Sequence, residues 1–229
     1  MAEEVVPMTM TNGDTRTTRA LRGLRSDSPS VRLRAALAVG TAPDPRCVDE
    51  LVGRCGVEPD FQVREMLTWA LTRHSSALTL PRLLDELRSE RAQARGQALH
   101  TLSKIGDGRA WPAITRELLT DADDEVARCA WRAAVVLVPE GEESELAGVL
   151  ATQLGRGGRE TWLSLSRALI ALGEAMTPVL RTALSDPRPP VRRHAIATEK
   201  LSHDPQAGFD FAIEEAKRIV ALGTTGREE

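Results

Sequence analysis

Apolar positions return along this chain in one register. Val31, Val63, Ala94, Val126, Thr161 and Val191 recur at intervals of 30 to 35 residues. Four positions after each stands Ala35, Leu67, Ala98, Ala130, Leu165 or Ala195. Residues i and i+4 lie on one face of a helix, so each pair marks a buried helical stripe. Seven positions before the anchor comes a leucine, at Leu24, Leu87, Leu119, Leu154 and Leu184; only the second copy lacks it, with Gly56 there. Leucine and anchor are separated by a polar turn, as in SDPRPP at 185–190. Each copy therefore reads as a helix, a short turn and a second helix. One such pair cannot bury its apolar stripe alone, whereas stacked pairs share a core.

The pattern predicts helices over 15–25 and 31–40, then 47–55 and 61–73, 80–89 and 92–106, 110–120 and 124–138, 144–154 and 159–173, and 177–185 and 191–201. Ser30 is the expected N-cap of the helix over 31–40, and Gly40 the residue that ends it. Asp44 before Pro45 is a cap followed by a first-turn proline. A last helix over 207–222 alternates an apolar side (Phe209, Ala212, Ala216) with a charged one (Glu214, Lys217, Arg218), as expected of a terminal cap. The segments 1–14 and 223–229 lack apolar periodicity and are expected to be disordered tails. The expected organisation is one domain over 15–222.

Six copies of Val-Arg-x-x-Ala type, quoted as they stand at 31–35, 63–67, 94–98, 126–130, 161–165 and 191–195, resemble the HEAT-repeat family in its short bacterial form, also seen in phycobilisome-lyase-like proteins. The resemblance covers about 15–202. The repeat is shorter than the ~40–47 residues usual for larger HEAT units. Tetratricopeptide repeats need tyrosine, which this chain lacks. The resemblance implies an all-α fold, a right-handed α-solenoid (alpha-alpha superhelix) of about six HEAT-like helix pairs plus a C-terminal capping helix. It also implies that the second helix of each pair lines a concave side.

Composition changes little in this picture. Of 229 residues, 41% are hydrophobic but only 3% aromatic, so the core is built from Leu, Ala and Val. The net charge of -3 gives no global basic field. No apolar run approaches the ~18 residues of a membrane span, and the acidic, polar start MAEEVVPMTMTNGD is unlike a signal peptide. Cys47, Cys55 and Cys129 form no CxxC pair and read as buried free thiols in a reducing cytoplasm. No metal is expected, because His74, His100, His194 and His203 have no partner at ligand spacing. The GRGG stretch at 155–158 lacks the Lys-Ser/Thr of a phosphate loop and reads as a turn. No catalytic constellation stands out, and no cofactor is expected.

The candidate chemistry lies on the second helices. With the anchor in the core, positions one, two, five and six later point away from it at about 100° per residue. They gather Arg64, Glu65, Trp69, Arg95, His100, Arg128, Trp131, Arg132, Trp162, Arg167 and Arg193, together with Arg32 and Arg192. Arginine and tryptophan are enriched where interfaces carry their energy. Two readings of the arginines stand side by side. They are structural, pairing with turn acids such as Asp27, Asp121 and Asp186, as the family resemblance implies, or they line a basic groove. The function expected is a non-catalytic scaffold or adaptor whose concave Arg/Trp face binds a protein partner, acidic or peptide-like. The alternative is nucleic-acid binding on that groove, including an ALKD-type alkylpurine DNA glycosylase in which Glu65 and Trp69 would loosely imitate the concave carboxylate and aromatic. An accessory role toward a tetrapyrrole follows only from the phycobilisome relatives.

Overall fold

The computed structural model describes residues 12–204 and 208–225. These form α1 (Asn12–Leu24), α2 (Pro29–Thr41), α3 (Val48–Cys55), α4 (Phe61–Thr72), α5 (Ser76–Glu86), α6 (Ala92–Ile105), α7 (Arg116–Leu119), α8 (Asp124–Leu137), α9 (Glu143–Ala151), α10 (Arg159–Ala171), α11 (Met176–Leu184), α12 (Pro189–His203) and α13 (Phe209–Thr225). No strand occurs among the described residues, and the fold is all-α, of the helical-repeat type. Of the expected N-terminal tail, residues 1–11 lie outside the described residues, while 12–14 open α1. At the other end α13 continues through Thr225, and 226–229 lie outside the described residues.

Where the sequence suggests one domain, the contacts gather into two compact units, one up to Ile105 and one from Gly106 on. In the first unit α2 packs on α1 and α4, and α6 on α4 and α5. In the second, α8 packs on α7 and α10, α10 on α12, and α13 on α12. Gly106, at φ 68°, takes the left-handed conformation that stops α6.

The leucine and anchor columns form the core. Every residue four after an anchor is buried, and so are the anchors from Val63 onward; Val31 is half-buried. The expectation fails at the fifth position. Ala36, Thr68, Leu99, Trp131, Ser166 and Ile196 are buried in all six copies. A second helix in a stack touches its own first helix and second helices on either side, so its buried arc is wider than one stripe. Polar residues there are paired. The Thr68 and Thr101 hydroxyls lie 3.4 Å apart across α4 and α6, and those of Ser166 and Thr198 2.7 Å apart across α10 and α12.

Local chemistry moves several boundaries. α2 begins at Pro29 with Ser28, not Ser30, in the cap position, because a proline is favoured at the first helical residue, where no N–H is required. Asp44 caps as expected, accepting from the Arg46 N–H at 2.9 Å, but it opens a short 3-10 turn (Pro45–Cys47) before α3. The helix expected over 110–120 is broken. Gly108–Ala113 is a 3-10 segment containing Pro112, and only Arg116–Leu119 is α-helical, restarted by the Thr115 hydroxyl. At the C-terminal end Phe209, Ala212 and Ala216 of α13 pack on Ile196 and Ala197. Glu214, Lys217 and Arg218 stay exposed beside Ile219, and Glu215 pairs with Lys200 at 2.7 Å, so the outer side of α13 is mostly charged, as a cap requires.

Candidate functional site: the arginine face of the second helices

The first arginine column turns inward. Arg64 donates from Nη1 to the Glu58 and Pro59 carbonyls, at 3.0 and 2.9 Å. Arg95 reaches the Ser89 and Glu90 carbonyls. Arg32 reaches those of Ser26 and Asp27, and Arg192 those of Asp186 and Pro187. In each case a guanidinium bonds the carbonyls five and six residues earlier, in the turn that joins its two helices. Turn carbonyls past a helix C-terminus have no intrahelical donor and carry negative partial charge, so a cation satisfies them twice over. Arg64 and Arg95 therefore brace turns. The acceptors are backbone oxygens where carboxylates were expected, and Arg32 also forks onto Glu58 of the next copy, at 2.6 and 2.7 Å.

The fourth copy has Ala127 in this column, and another residue fills the gap. Arg156, in the GRGG turn, donates to the Asp121 and Ala122 carbonyls, the pair that an arginine at 127 would reach, and its Nε bonds Asp124 at 2.9 Å. Gly155 and Gly157 on either side adopt φ of 83° and 68°. At Gly157 a Cβ would stand 2.7 Å from Asp124 Oδ2. The turn is glycine-rich because it carries Arg156 across to the preceding repeat. Column counting misses Arg156, since it sits outside the repeat register.

The expected tryptophans divide. Trp131 is fully buried and donates Nε1–H to the Leu119 carbonyl at 2.8 Å, so it is removed from the binding face. It occupies the fifth position of its copy, which the stack covers. Trp162 is half-buried and lies flat on the His194 ring. Trp69 remains open at 38% exposure, resting on Gly40. Gly40 does not end α2, which runs on to Thr41; it makes room for the indole, because a Cβ there would lie 2.2 Å from Trp69 Cζ3.

In the first unit the open arc holds Leu37, Trp69 and the exposed Glu65. Glu65 Oε1 is 3.2 Å from Nε2 of His100, a side chain only 12% exposed.

In the second unit the open arc is cationic. Arg132 and Arg167 are exposed; Arg128 and Arg193 are half-buried. Arg128 pairs with Glu125 at 3.1 Å, yet its Nε is buried without a partner, as are Arg193 Nε and Trp162 Nε1. Between α8 and α10 lies a recess of about 210 Å³, lined by Arg128, Arg132 and Arg167 with Glu160 and Ser164. The structure thus brings Arg128, Arg132 and Arg167 together, and Arg193 follows them on α12. Glu160 is a lining residue that column reading omits.

Buried ionisable groups elsewhere are structural. Glu58 is wholly buried. Burial pushes its carboxyl up, but Arg32, the Asp60 N–H and Arg54 outweigh this and hold it at about 2. Burial drives the thiols of Cys55 and Cys129 up to about 12, and all three cysteines are free. Among the described residues no cluster of three or more His, Cys, Asp or Glu side chains could hold a metal ion. No single helix there is long and apolar enough to cross a membrane.

Residues 17–95 match the family described as HEAT repeats. That stretch covers the first three anchors and their arginine column. Repeats of this kind generally serve as protein-interaction scaffolds and are typically not catalytic. No curated protein matches the chain.

Proposed function

We propose, from the match of residues 17–95 to HEAT repeats, that this chain is a non-catalytic adaptor that grips an acidic segment of a protein partner on the arginine face of α8 and α10. One observation carries the reading. The first arginine column is used up on turn carbonyls, whereas Arg132 and Arg167 are exposed beside a recess that the fold leaves open. Arg32, Arg64, Arg95 and Arg192 brace the turns before α2, α4, α6 and α12, whereas Arg132 and Arg167 stand on α8 and α10, whose column positions are Ala127 and Trp162. Exposed guanidiniums steer an acidic partner and fork onto its carboxylates. Three buried thiols suit a reducing, cytoplasmic compartment.

The test is affinity capture with the full chain and with an Arg132→Glu, Arg167→Glu double variant. Both positions are exposed, so the variant keeps its helical circular dichroism. The expected result is one specific acidic partner retained by the wild type at moderate salt and lost by the variant. Equal retention by a folded variant rejects this face as the grip.

A further inference from the structure

Seven positions after the anchor, five of the six copies are covered. Ala70, Thr101, Ala133, Ala168 and Thr198 are buried, whereas Ala38 of the first copy is exposed. Where neighbours meet, the cover is the second helix of the preceding copy. Gly40 of α2 sits on Ala70, Thr68 of α4 meets Thr101, and Ser166 of α10 meets Thr198. No helix precedes α1 among the described residues, and Ala38 stands about 200° round α2 from Gly40, on the side away from α4. An open groove of about 470 Å³ lies there between α1 and α2. Ala20, Val31, Ala35 and Ala38 give it an apolar lining. Arg16, Arg19 and Arg34 also line it, all three exposed and without a hydrogen bond or ion pair to any described residue. No carboxylate is among the lining residues. Asp14, the one acidic residue on α1 or α2, stands about 200° round α1 from Arg16. The charge of Asp27, in the turn, acts on the buried Arg32.

We propose that this groove docks an amphipathic helix of a partner protein, with small apolar residues on one side and carboxylates flanking them. The groove is the repeat interface of this chain left open on one side, so it suits a helix laid along α2 as α2 is laid along α4. The arginines set the sign of the flanks, because guanidiniums fork onto carboxylates. A second copy of the chain lacks the complement. Two-fold pairing would set the arginines against themselves. The outer side of α13 offers Glu214 already bound to Lys217 at 2.7 Å, with Arg218 beside it. The acidic α9, with Glu143 and Glu145, buries Leu146, Ala147 and Leu150 within its own unit. The groove lies in the first unit, so the inference goes beyond the reading of α8 and α10 and does not depend on it.

The experiment is fluorescence anisotropy of a labelled synthetic peptide titrated with the full chain at low ionic strength. The probe is a blocked helical peptide of about four turns, with Ala and Leu at i, i+3, i+4 and i+7 and Glu on both flanks. Control peptides replace Glu by Lys or scramble the order. Saturable binding of the Glu peptide alone is expected. It should weaken about tenfold or more in an Arg16→Glu, Arg34→Glu variant and measurably in Ala38→Gln, all at exposed positions. It should be unchanged in Arg132→Glu, Arg167→Glu. No saturable binding overturns the proposal, as does equal binding of either control peptide. Unchanged affinity in either groove variant, with helical circular dichroism retained, overturns it as well. Loss of the peptide in Arg132→Glu, Arg167→Glu moves it to α8 and α10, which overturns the groove and leaves the adaptor reading standing. A dimer seen by light scattering and abolished by Arg16→Glu, Arg34→Glu gives the groove to a second copy. A rise in peptide affinity with Glu3→Lys, Glu4→Lys gives it to residues 1–11. Either of these results overturns the proposal.

Discussion

The Trp162 indole lies on the His194 imidazole with 4.5 Å between ring centroids and 4° between planes. The stack joins α10 to α12, and His194 is the only wholly buried histidine among the described residues. The Gly155 N–H donates to His194 Nδ1 at 3.0 Å, so Nδ1 is an acceptor and the ring proton sits on Nε2. Nε2 then donates toward the Trp162 carbonyl at 3.0 Å, with the Ser166 hydroxyl at 3.2 Å. Every contact fits a neutral ring. Trp162 therefore works mainly as a strut between repeats.

Acid should weaken the second unit through this histidine. Burial lowers His194 from 6.5 to about 4. The unfolded chain binds its proton more readily, so the stabilisation is full above pH 6.5 and is lost as pH falls toward 4. The linkage amounts to roughly 3 kcal/mol over that window. Urea denaturation at steps from pH 7 to 4 should show the decline, and a His194→Gln variant should show a flatter profile in the same range. Parallel profiles for the two proteins would assign the acid sensitivity elsewhere.

The Arg32–Glu58 pair ties the first copy to the second. Their side chains are 5% and 0% exposed. Glu58→Gln leaves a buried guanidinium without its counter-charge, and a loss of about 3–5 kcal/mol is expected from denaturant unfolding. Because the Glu58 carboxyl is held at about 2 against an ordinary 4.5, its contribution is full above pH 4.5 and fades as pH drops toward 2.

Gly40→Ala is a sensitive probe of the stack between α2 and α4. Alanine is the better helix former by about 1 kcal/mol. Its Cβ, however, would stand 2.2 Å from Trp69 Cζ3 and 3.0 Å from the Ala70 Cα. Overpacking of this sort costs about 1–3 kcal/mol. Net destabilisation and a red-shifted tryptophan emission are expected; a stabilised variant with unchanged emission would refute the packing account of this glycine.

Arg156→Ala should cost about 2 kcal/mol, since charge-assisted bonds to Asp124 and to two turn carbonyls are lost together. Arg156→Lys should recover little, because one ammonium cannot reproduce the planar fork onto Asp124, Gln153 and the Asp121 and Ala122 carbonyls. Thermal unfolding of the three proteins checks both statements.

The repeat was legible in the sequence because a helix repeats its faces at a fixed offset. Val63 with Leu67, or Val126 with Ala130, announces a buried stripe whatever lies next to it. The leucines before the turns and the capping helix were legible for the same reason. Break points were less so: one proline, Pro112, turns an expected helix into a 3-10 segment and a single turn of α-helix.

The binding face was legible only in part. Arg128, Arg132 and Arg167 could be placed on the open arc by angle alone. Trp131 could not be excluded that way, since its burial depends on neighbouring helices closing over the fifth position. Nor could counting along one helix reveal that Arg64 and Arg95 bond the carbonyls of their own turns, or that Arg156 serves the turn of the preceding copy.

The sequence by itself determined the helix pairs, their period and the small-residue stripe through which they stack, because helical periodicity is a local property of the chain. Which arginines brace the fold and which stand open, and which tryptophan is sealed, only the tertiary structure decided. Those outcomes depend on acceptors and walls supplied by residues tens of positions away, 35 of them between Arg156 and Asp121, and no local pattern encodes that distance.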